Sequence, residues 1–222
     1  MAGTATHLAV ADRICEILGC HRFKNISLFY CGNIAPDAIH AREGFIRAYK
    51  KHTHLTDGMS GKDFQNAEGL AEFHRRLDEF KAKYLDASDE SYELHLGYFA
   101  HLVCDELFNI HIRRMFQDAA AEQGIKETDD AFRKMIARDS DIVDKMLIER
   151  YPFKNDARAL LEASWDYEVE DMVSADEINR SKKWVIDKLF NSACTIEETS
   201  CYTYEKALQF IDLAADSVIN RI

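Results

Sequence analysis

Residues 92–110 read YELHLGYFAHLVCDELFNI and form the core of the longest apolar-rich segment of the chain. Large apolar side chains occupy nearly every face of a 3.6-residue helix in this segment. A helix that is apolar all round is typical of the centre of a helical bundle. The sequence therefore predicts a central helix from residue 89 to about residue 118.

Two polar residues, His101 and Asp105, interrupt this apolar pattern. Residues four apart share one face of a helix, so the imidazole and the carboxylate project together. Both groups are good zinc ligands, and a carboxylate is costly to bury unless it is paired or coordinated. Gly97, one turn earlier on the same face, leaves room for another group to approach. The helix alone leaves two interpretations open, a metal site and a hydrogen-bonded pair in a polar seam.

The rest of the chain also favours helices, because its 222 residues include only two prolines and nine glycines. All-β sandwiches need many turns, and turns draw on both residue types. Apolar residues recur at helical spacing in most of the chain. They predict further helices at 4–18, 25–30, 62–84, 128–150, 156–172, 175–192 and 203–221. We predict an all-α, multi-helix bundle in a single domain, 1–222, with the chemistry in 1–111 and a helical scaffold in 120–222.

Charge and hydropathy narrow the classes of partner. Lys and Arg number 28 against 39 Asp and Glu, which gives a net charge of −11. Such an acidic chain lacks the overall electrostatics of a duplex-DNA binder. No apolar run approaches the ~20 residues that a bilayer-spanning helix needs. The first residues lack a basic segment followed by an apolar one, so we expect no signal peptide and a cytoplasmic protein.

Histidine is unevenly distributed. All nine histidines lie in the first half of the chain, at positions 7, 21, 40, 52, 54, 74, 95, 101 and 111. This sorting suggests that one part of the bundle carries the chemistry. His7, Asp37 and the pair His52 and His54 supply the residue types of a multi-metal site, although each of them alone is unremarkable as a surface or capping residue.

Four short motifs occur in a recognisable order. They are Thr6-His7-Leu8, Gly32-x-x-x-Pro36-Asp37, Thr53-His54-Leu55 and Leu96-Gly97-Tyr98-x-x-His101-x-x-x-Asp105. In this order they resemble the zinc-dependent phospholipase C family, which is similar in fold to the single-strand-specific zinc nucleases. The resemblance covers about residues 5–110. It implies an all-α fold with zinc ions in a cleft and the hydrolysis of phosphodiester bonds.

The resemblance also implies roles for individual residues. Asp37, His54, His101 and Asp105 would hold one zinc ion, and Asp105 would bridge to a second ion that His7 also holds. A pair of cations activates water and stabilises both the entering and the leaving oxygen of a phosphoryl displacement. Asp37 would in addition orient or deprotonate the water.

The chain departs from the family pattern at two places. Secreted members use their free N-terminal amine as a ligand, whereas residues 1–6 precede His7 here, so we expect a weakly held second metal. The third zinc of the family needs a His six residues after the bridging Asp, a position that His111 matches, and a later His-x-x-x-Glu. No His follows residue 111. We therefore expect one or two zinc ions, with His111 at the surface or in the cleft.

Several weaker candidates remain. His52 is a rival to His54 as a ligand, and His40 and His95 are candidates to line the cleft or are simply solvated or hydrogen-bonded. His21 and His74 are expected at the surface. A basic cluster fits either a phosphate-binding patch or a solvated helix face. It consists of Arg42, Arg47, Lys50 and Lys51.

Three functions are compatible with these patterns. The first is a zinc-dependent phosphoric ester hydrolase, acting on a phospholipid, a nucleotide or another small phosphoester. The second is a zinc-binding or scaffold protein of the same fold without catalysis. The third is a helical interaction module that uses the aromatic residues of the second half. The sequence leaves the substrate and the oligomeric state open.

Overall fold

The computed structural model describes residues 2–165, 167–192 and 197–222, and over these residues it is helical without a β-strand. The predicted all-α class is confirmed. The α-helices of the described residues are α1 (Thr4–Leu18), α2 (Ile26–Gly32), α3 (Arg47–Thr53), α4 (Ala67–Tyr84), α5 (Tyr92–Leu107), α6 (Arg113–Glu122), α7 (Asp130–Arg150), α8 (Ala157–Ala163), α9 (Ala175–Ile186) and α10 (Tyr204–Ile219). Short 3₁₀ turns cover Cys20–Arg22, Ala35–Ala41 and Asp63–Gln65, and π-helical turns cover Phe108–Ile112 and Asp187–Asn191.

Helix α5 lies at the centre of the structure, as its apolar pattern predicts. Every residue from Glu93 to Leu107 is buried. Helices α1, α2, α4 and α10 all pack against it. The single helix predicted for 89–118 is in fact α5 followed without a break by the π-helical turn Phe108–Ile112 and α6. A π-helical turn often lies near a functional site.

Two glycines let α2 and α5 cross at backbone contact. A Cβ atom on Gly97 would lie 2.1 Å from the carbonyl oxygen of Phe29, and one on Gly32 would lie 2.1 Å from that of Leu94. The space predicted beside Gly97 is therefore filled by the backbone of α2. This close approach also brings the carbonyl oxygen of Asn33, just beyond α2, to the ring of His101.

Helix α1 begins against a buried carboxylate from α7. Asp144 is 4% exposed, and its Oδ1 accepts hydrogen bonds from the backbone N–H of Thr6 at 3.2 Å and from the Thr6 hydroxyl at 3.4 Å. Burial disfavours the charged form and raises the pKa of Asp144 to about 6, although the N–H groups of Ala5 and Thr6 act in the opposite direction. The fold therefore prefers the protonated carboxyl.

This preference predicts a pH-dependent effect of Asp144→Asn. The protonated Asp144 stabilises the folded state fully at pH values below 3.8, the ordinary pKa of this carboxyl group. This stabilisation is lost as the pH rises through about 6. The neutral Asn does not titrate, so the stability of Asp144→Asn relative to wild type should rise by about 2–3 kcal/mol between pH 4 and pH 7. Urea denaturation at several pH values measures it. A difference between Asp144→Asn and wild type that stays flat between pH 4 and pH 7 would contradict the prediction.

The second half of the chain differs most from the sequence prediction. The helix predicted for 156–172 ends at Ala163 as α8, and a tight turn closed by Val169 N–H to the Val173 carbonyl follows. Residue 166 of the predicted helix lies outside the described residues. Asp171 has a φ of 63°, which a continuing helix does not allow. The helix predicted for 175–192 is α9 followed by the π-helical turn Asp187–Asn191.

Helices of the second half also contact the segment that carries Asp37. Helix α9 packs against the turn Ala35–Ala41, and the ion pair from Arg42 Nε to Glu177 Oε1 of α9, at 2.6 Å, holds the two together. Helix α10 packs against α1 and α5. Helix α9 of the second half therefore borders the segment that carries Asp37; the division into a chemical part and a scaffold part stays a prediction.

In the part of the chain that the structure describes, no helix is both long and apolar enough to cross a bilayer.

Candidate metal centre

Five side chains that are far apart in sequence lie together beside α5. His7 comes from α1, Asp37 from the turn Ala35–Ala41, and His54 directly follows α3. His101 and Asp105 come from α5 itself, one turn apart. All are buried except Asp37, which is partly exposed. Pro36 fixes the start of the turn that carries Asp37, and the glycine contact of α2 with α5 brings that turn close to His101.

The five side chains form two overlapping groups of potential ligands. One group is Asp37, His54 and His101, and the other is His7, His101 and Asp105; within each group the ligand atoms lie within 4.8 Å of one another. His54 Nε2 lies 3.4 Å from Asp37 Oδ1 and 3.2 Å from His101 Nε2.

Asp105 faces both groups with different oxygens. Its Oδ2 lies 3.6 Å from His54 Nε2 and 3.8 Å from His101 Nε2. Its Oδ1 lies 3.6 Å from His7 Nε2 and accepts a hydrogen bond from the backbone N of Ala2 at 3.0 Å. The segment that precedes His7 therefore reaches the centre through Ala2.

Backbone carbonyls fix the orientation of two imidazoles. His101 Nδ1 lies 2.8 Å from the Asn33 carbonyl oxygen, and His54 Nδ1 lies 3.0 Å from the Lys50 carbonyl oxygen. Because a carbonyl oxygen only accepts, we assign the proton of each ring to Nδ1. The two Nε2 lone pairs then face each other at 3.2 Å. Such an arrangement is repulsive unless a cation or a proton lies between them, and carbonyl-oriented imidazoles are typical of metal sites.

His7 supplies a second indication of a missing partner. Both of its ring nitrogens are buried without a hydrogen-bond partner among the described residues. Its ring stacks on that of His101 with centroids 3.7 Å apart and an interplanar angle of 6°. Buried polar atoms without a partner are rare in folded proteins, so the residues present fit a metal ion.

Asp37, Asp105 and His101 are held in the protonation states that metal binding requires. His7 is the exception: burial lowers its pKa, but the neighbouring Cys104 and Asp105 outweigh burial and raise the pKa to about 10, so a metal ion at His7 would have to displace a proton. Burial opposes ionisation of Asp37, but the charge of Lys50 and the contact with His54 hold its pKa well below the usual range. Burial likewise opposes charge on Asp105, and the contacts with His7 and His101 outweigh it and lower its pKa. Burial and the neighbouring His7 keep the pKa of His101 well below its ordinary value. Anionic carboxylates and a neutral imidazole are the ligand forms.

The centre lies in a cleft of about 1410 Å³ whose lining is rich in basic residues. Residues from α6, α7 and α9 complete the walls. The basic residues of the lining are Arg47, Lys50, Lys51, Arg113, Arg133 and Arg180. The acidic residues of the lining, Asp37, Asp105 and Glu106, belong to the centre or lie next to it in sequence. The cleft thus suits an anionic ligand whose charged part approaches the five side chains.

The weaker histidine candidates divide between the cleft and other places. His40 lines the cleft, with its Nδ1 3.8 Å from Asp37 Oδ1. His52 does not line the cleft; it is exposed, with its Nδ1 2.9 Å from Asp57 Oδ2. His95 is buried elsewhere, where its Nδ1 lies 2.9 Å from the Tyr84 carbonyl oxygen. His111 is exposed in the π-helical turn and does not line the cleft.

The two histidines expected at the surface are partly or fully accessible. His21 is exposed. His74 is half-exposed, and its Nε2 lies 2.6 Å from Oε1 of the buried Glu106.

The basic cluster divides in the same way. Lys50 donates a hydrogen bond to Asp37 Oδ1, and Lys51 donates one to the Met59 carbonyl oxygen at 3.0 Å. Arg47 lines the cleft as well. Arg42 does not line it, because its guanidinium is held by Glu177 and the Met172 carbonyl oxygen. A phosphate-binding role for Arg42 is therefore not supported by its position.

The cleft residues of the second half were not predicted from the sequence. Arg133 on α7 and both Arg180 and Trp184 on α9 line the cleft. Nothing in the local pattern separates these residues from other solvated charges or from core aromatics. They enter the site only because α7 and α9 pack beside the first half.

One of three comparisons with known proteins found a match for this chain. The family model described as zinc dependent phospholipase C matches residues 6–127, which is more than half of the chain and includes all five side chains of the centre. No curated protein and no solved structure gave a match. The family match and a His/Asp cluster that is able to hold a metal together support a metal-dependent kind of hydrolase. The chain belongs to the zinc-dependent phospholipase C family.

Proposed function

We propose that this protein is a zinc-dependent hydrolase of phosphodiester bonds, with one or two zinc ions bound in its cleft. The observation that carries the proposal is the convergence of His7, Asp37, His54, His101 and Asp105 at one place in a basic cleft. When bound, zinc polarises a phosphoryl oxygen and lowers the pKa of a water molecule. Phospholipids are the substrate class that the family's description suggests.

The ligand assignment follows from which atoms face each other. We propose Asp37, His54 and His101 as the ligands of one ion, together with Oδ2 of Asp105. Oδ1 of the same carboxylate and His7 would hold the second. The support is that Asp105 directs Oδ2 at His54 and His101 and Oδ1 at His7.

The protein side chains would bind the substrate phosphate and orient the attacking water. Lys50, Lys51 and Arg47 reach the cleft and would neutralise the phosphate charge. Asp37 would accept a hydrogen bond from the water. Its pKa is held well below the usual range, and so weak a base favours orientation of the water over removal of its proton.

Zinc removal and restoration test the proposal. Protein treated with a chelator should lose its hydrolysis of bis(p-nitrophenyl) phosphate, and added zinc should restore it. The reason is that the imidazoles and carboxylates of the centre alone offer no comparable stabilisation of a pentavalent phosphoryl group. The measurement is zinc per chain and rate on the same samples. A rate that survives chelation unchanged, or a chain that binds no zinc, would contradict the proposal.

One observation favours a second candidate, a zinc-binding protein of this fold without turnover. No histidine follows residue 111, so the third metal site implied by the family resemblance lacks ligands, and His111 itself is exposed outside the cleft. The same samples decide between the two candidates. Bound zinc with thermal stabilisation and no turnover of any phosphoester would support the second.

A further inference from the structure

Lys50 contacts two of the ligands proposed for the ion at Asp37, His54 and His101. Its ammonium donates a hydrogen bond to Oδ1 of Asp37, and its backbone carbonyl oxygen lies 3.0 Å from Nδ1 of His54. The side chains of Lys50 and Asp37 are 13% and 25% exposed, so their ion pair is largely shielded from water. One residue of α3 therefore touches both ligands, and it also lines the cleft.

The ammonium of Lys50 contacts the carboxylate oxygen that faces a second ligand. Oδ1 of Asp37 accepts the hydrogen bond from Lys50, and the same oxygen lies 3.4 Å from Nε2 of His54. A zinc ion held by Asp37 and His54 would share this oxygen with the ammonium. Two cations so placed repel each other, and the repulsion is strong where little water reaches the charges. Lys50 and zinc therefore compete for the negative charge of Asp37.

The cleft offers a displaced ammonium one kind of partner, an anionic ligand. Among the described residues, the acidic side chains that line the cleft are Asp37, Asp105 and Glu106. The first two belong to the metal centre, and each carboxylate oxygen of Glu106 already contacts another side chain. A Lys ammonium binds phosphate as a point charge on a flexible stem. The phosphate of a substrate is therefore the partner that suits Lys50 once zinc holds Asp37.

We propose that Lys50 exchanges partners: it leaves Asp37 when zinc binds and then holds the phosphate of the substrate. The ammonium and the carboxylate neutralise each other until the metal arrives. Zinc binding and phosphate binding are thereby coupled through one side chain. The phosphate step rests on the proposed hydrolase function, whereas the exchange at Asp37 rests on the metal centre alone.

The affinity for zinc tests the first step. Lys50→Met keeps an apolar stem and the backbone carbonyl that contacts His54, but it removes the ammonium that competes for Asp37. This variant should bind zinc about tenfold more tightly than wild type in competition with a chromophoric chelator. Lys50→Arg restores the positive charge and should return the affinity to near that of wild type. A lysine that only held Asp37 in place would give the opposite sign, weaker zinc binding in Lys50→Met.

The affinity for inorganic phosphate tests the second step. Calorimetry is performed on zinc-free protein and on zinc-loaded protein from which excess zinc has been removed. In the zinc-loaded state, Lys50→Met should bind phosphate about tenfold more weakly than wild type, because the released ammonium is missing. In the zinc-free state the two proteins should differ by less than about twofold, because Asp37 still neutralises the ammonium of wild type. An equal loss in both states would show that Lys50 is a static charge of the cleft and would overturn the exchange.

A second Lys–Asp ion pair provides the matched control. Lys83 Nζ lies 2.7 Å from Asp171 Oδ2, and neither residue lines the cleft. Lys83→Met removes the same charge and the same kind of contact, so its affinities for zinc and phosphate should equal those of wild type. Unchanged or weaker zinc binding in folded Lys50→Met, or an equal gain in Lys83→Met, would overturn the proposal.

Thermal melts establish that each variant is folded. If Lys50→Met does not fold, Lys50→Gln takes its place with the same expectations, because it keeps a hydrogen-bond donor for Asp37 without the charge. The two affinities then decide the proposal in the same way.

Failure of the exchange and failure of the proposed function give different results. The two affinities are measured without turnover, and the rate with bis(p-nitrophenyl) phosphate is measured separately. Opposed changes in the two affinities, without turnover by wild type, keep the exchange and remove the hydrolase. Turnover by wild type with unchanged affinities in Lys50→Met does the reverse. A wild type that binds no zinc overturns both.

Discussion

Replacing Asp105 with Asn is expected to lower the rate of phosphodiester hydrolysis by at least about 10³-fold, which corresponds to several kcal/mol of lost stabilisation from the metal ions. Both carboxylate oxygens face potential ligands, with Oδ2 directed at His54 and His101 and Oδ1 at His7. Asn keeps one neutral oxygen and replaces the other with an N–H donor. Zinc per chain and the rate with bis(p-nitrophenyl) phosphate should therefore fall together.

A surface acid provides the control for this substitution. Asp57 has a side chain that is 57% exposed and lies outside the centre, so Asp57→Asn should keep both the zinc content and the rate of wild type. Far-ultraviolet circular dichroism establishes that Asp105→Asn is folded. A folded Asp105→Asn protein with wild-type zinc content and rate would show that this carboxylate is no ligand.

Replacing Gly97 with Ala should destabilise the fold by about 2 kcal/mol or more. An added methyl would lie 2.1 Å from the Phe29 carbonyl oxygen and 2.9 Å from the Asn33 nitrogen, both of them backbone atoms that cannot rotate away. Forcing such an insertion usually costs about 1–3 kcal/mol, and occasionally more. The roughly 1 kcal/mol gained by Ala over Gly within a helix offsets only part of a severe backbone clash. Urea denaturation measures the loss.

The same substitution should also weaken zinc binding at the metal centre. Moving α2 away from α5 separates the Asn33 carbonyl oxygen from His101 Nδ1, which are now 2.8 Å apart. Loss of such an orienting contact lowers metal affinity by roughly 10–100-fold. Gly58→Ala is the control, because nothing lies within 4 Å of the added methyl. The φ of 74° at residue 58 should cost Ala about 1 kcal/mol of stability. The zinc affinity of this variant should equal that of wild type. Unchanged stability and zinc affinity in Gly97→Ala would contradict the role given to this crossing.

The fold class could be predicted because it depends on local and compositional signals. The scarcity of Pro and Gly and the all-round apolar segment 92–110 are readable without any knowledge of long-range contacts. The end of α8 could not be predicted, because Ala163 is followed by a turn that depends on tertiary contacts. Lys182 of α9 donates to the Ser164 carbonyl oxygen at 2.8 Å and holds the chain out of a helix there.

The five side chains of the candidate centre could be predicted from the sequence, whereas the wall of the cleft from the second half of the chain could not. Its five residues stand in motifs that can be read one by one. The cleft wall cannot be read in this way: Arg133 and Trp184 belong to helices whose approach to the centre depends on contacts between residues more than 100 positions apart, such as Arg42 with Glu177. His52 and His95 were candidates by composition alone, and Asp57 and the Tyr84 carbonyl oxygen are their actual partners.

Anomalous scattering at the zinc edge, recorded from a crystal grown with zinc and without chelator, tests the proposed metal centre most directly. We expect one or two peaks among His7, Asp37, His54, His101 and Asp105, with Asp105 next to both peaks if there are two. A crystal with no peak among these five side chains, or with zinc only at exposed groups such as His52 and Asp57, would contradict the proposed centre and the hydrolase function that depends on it.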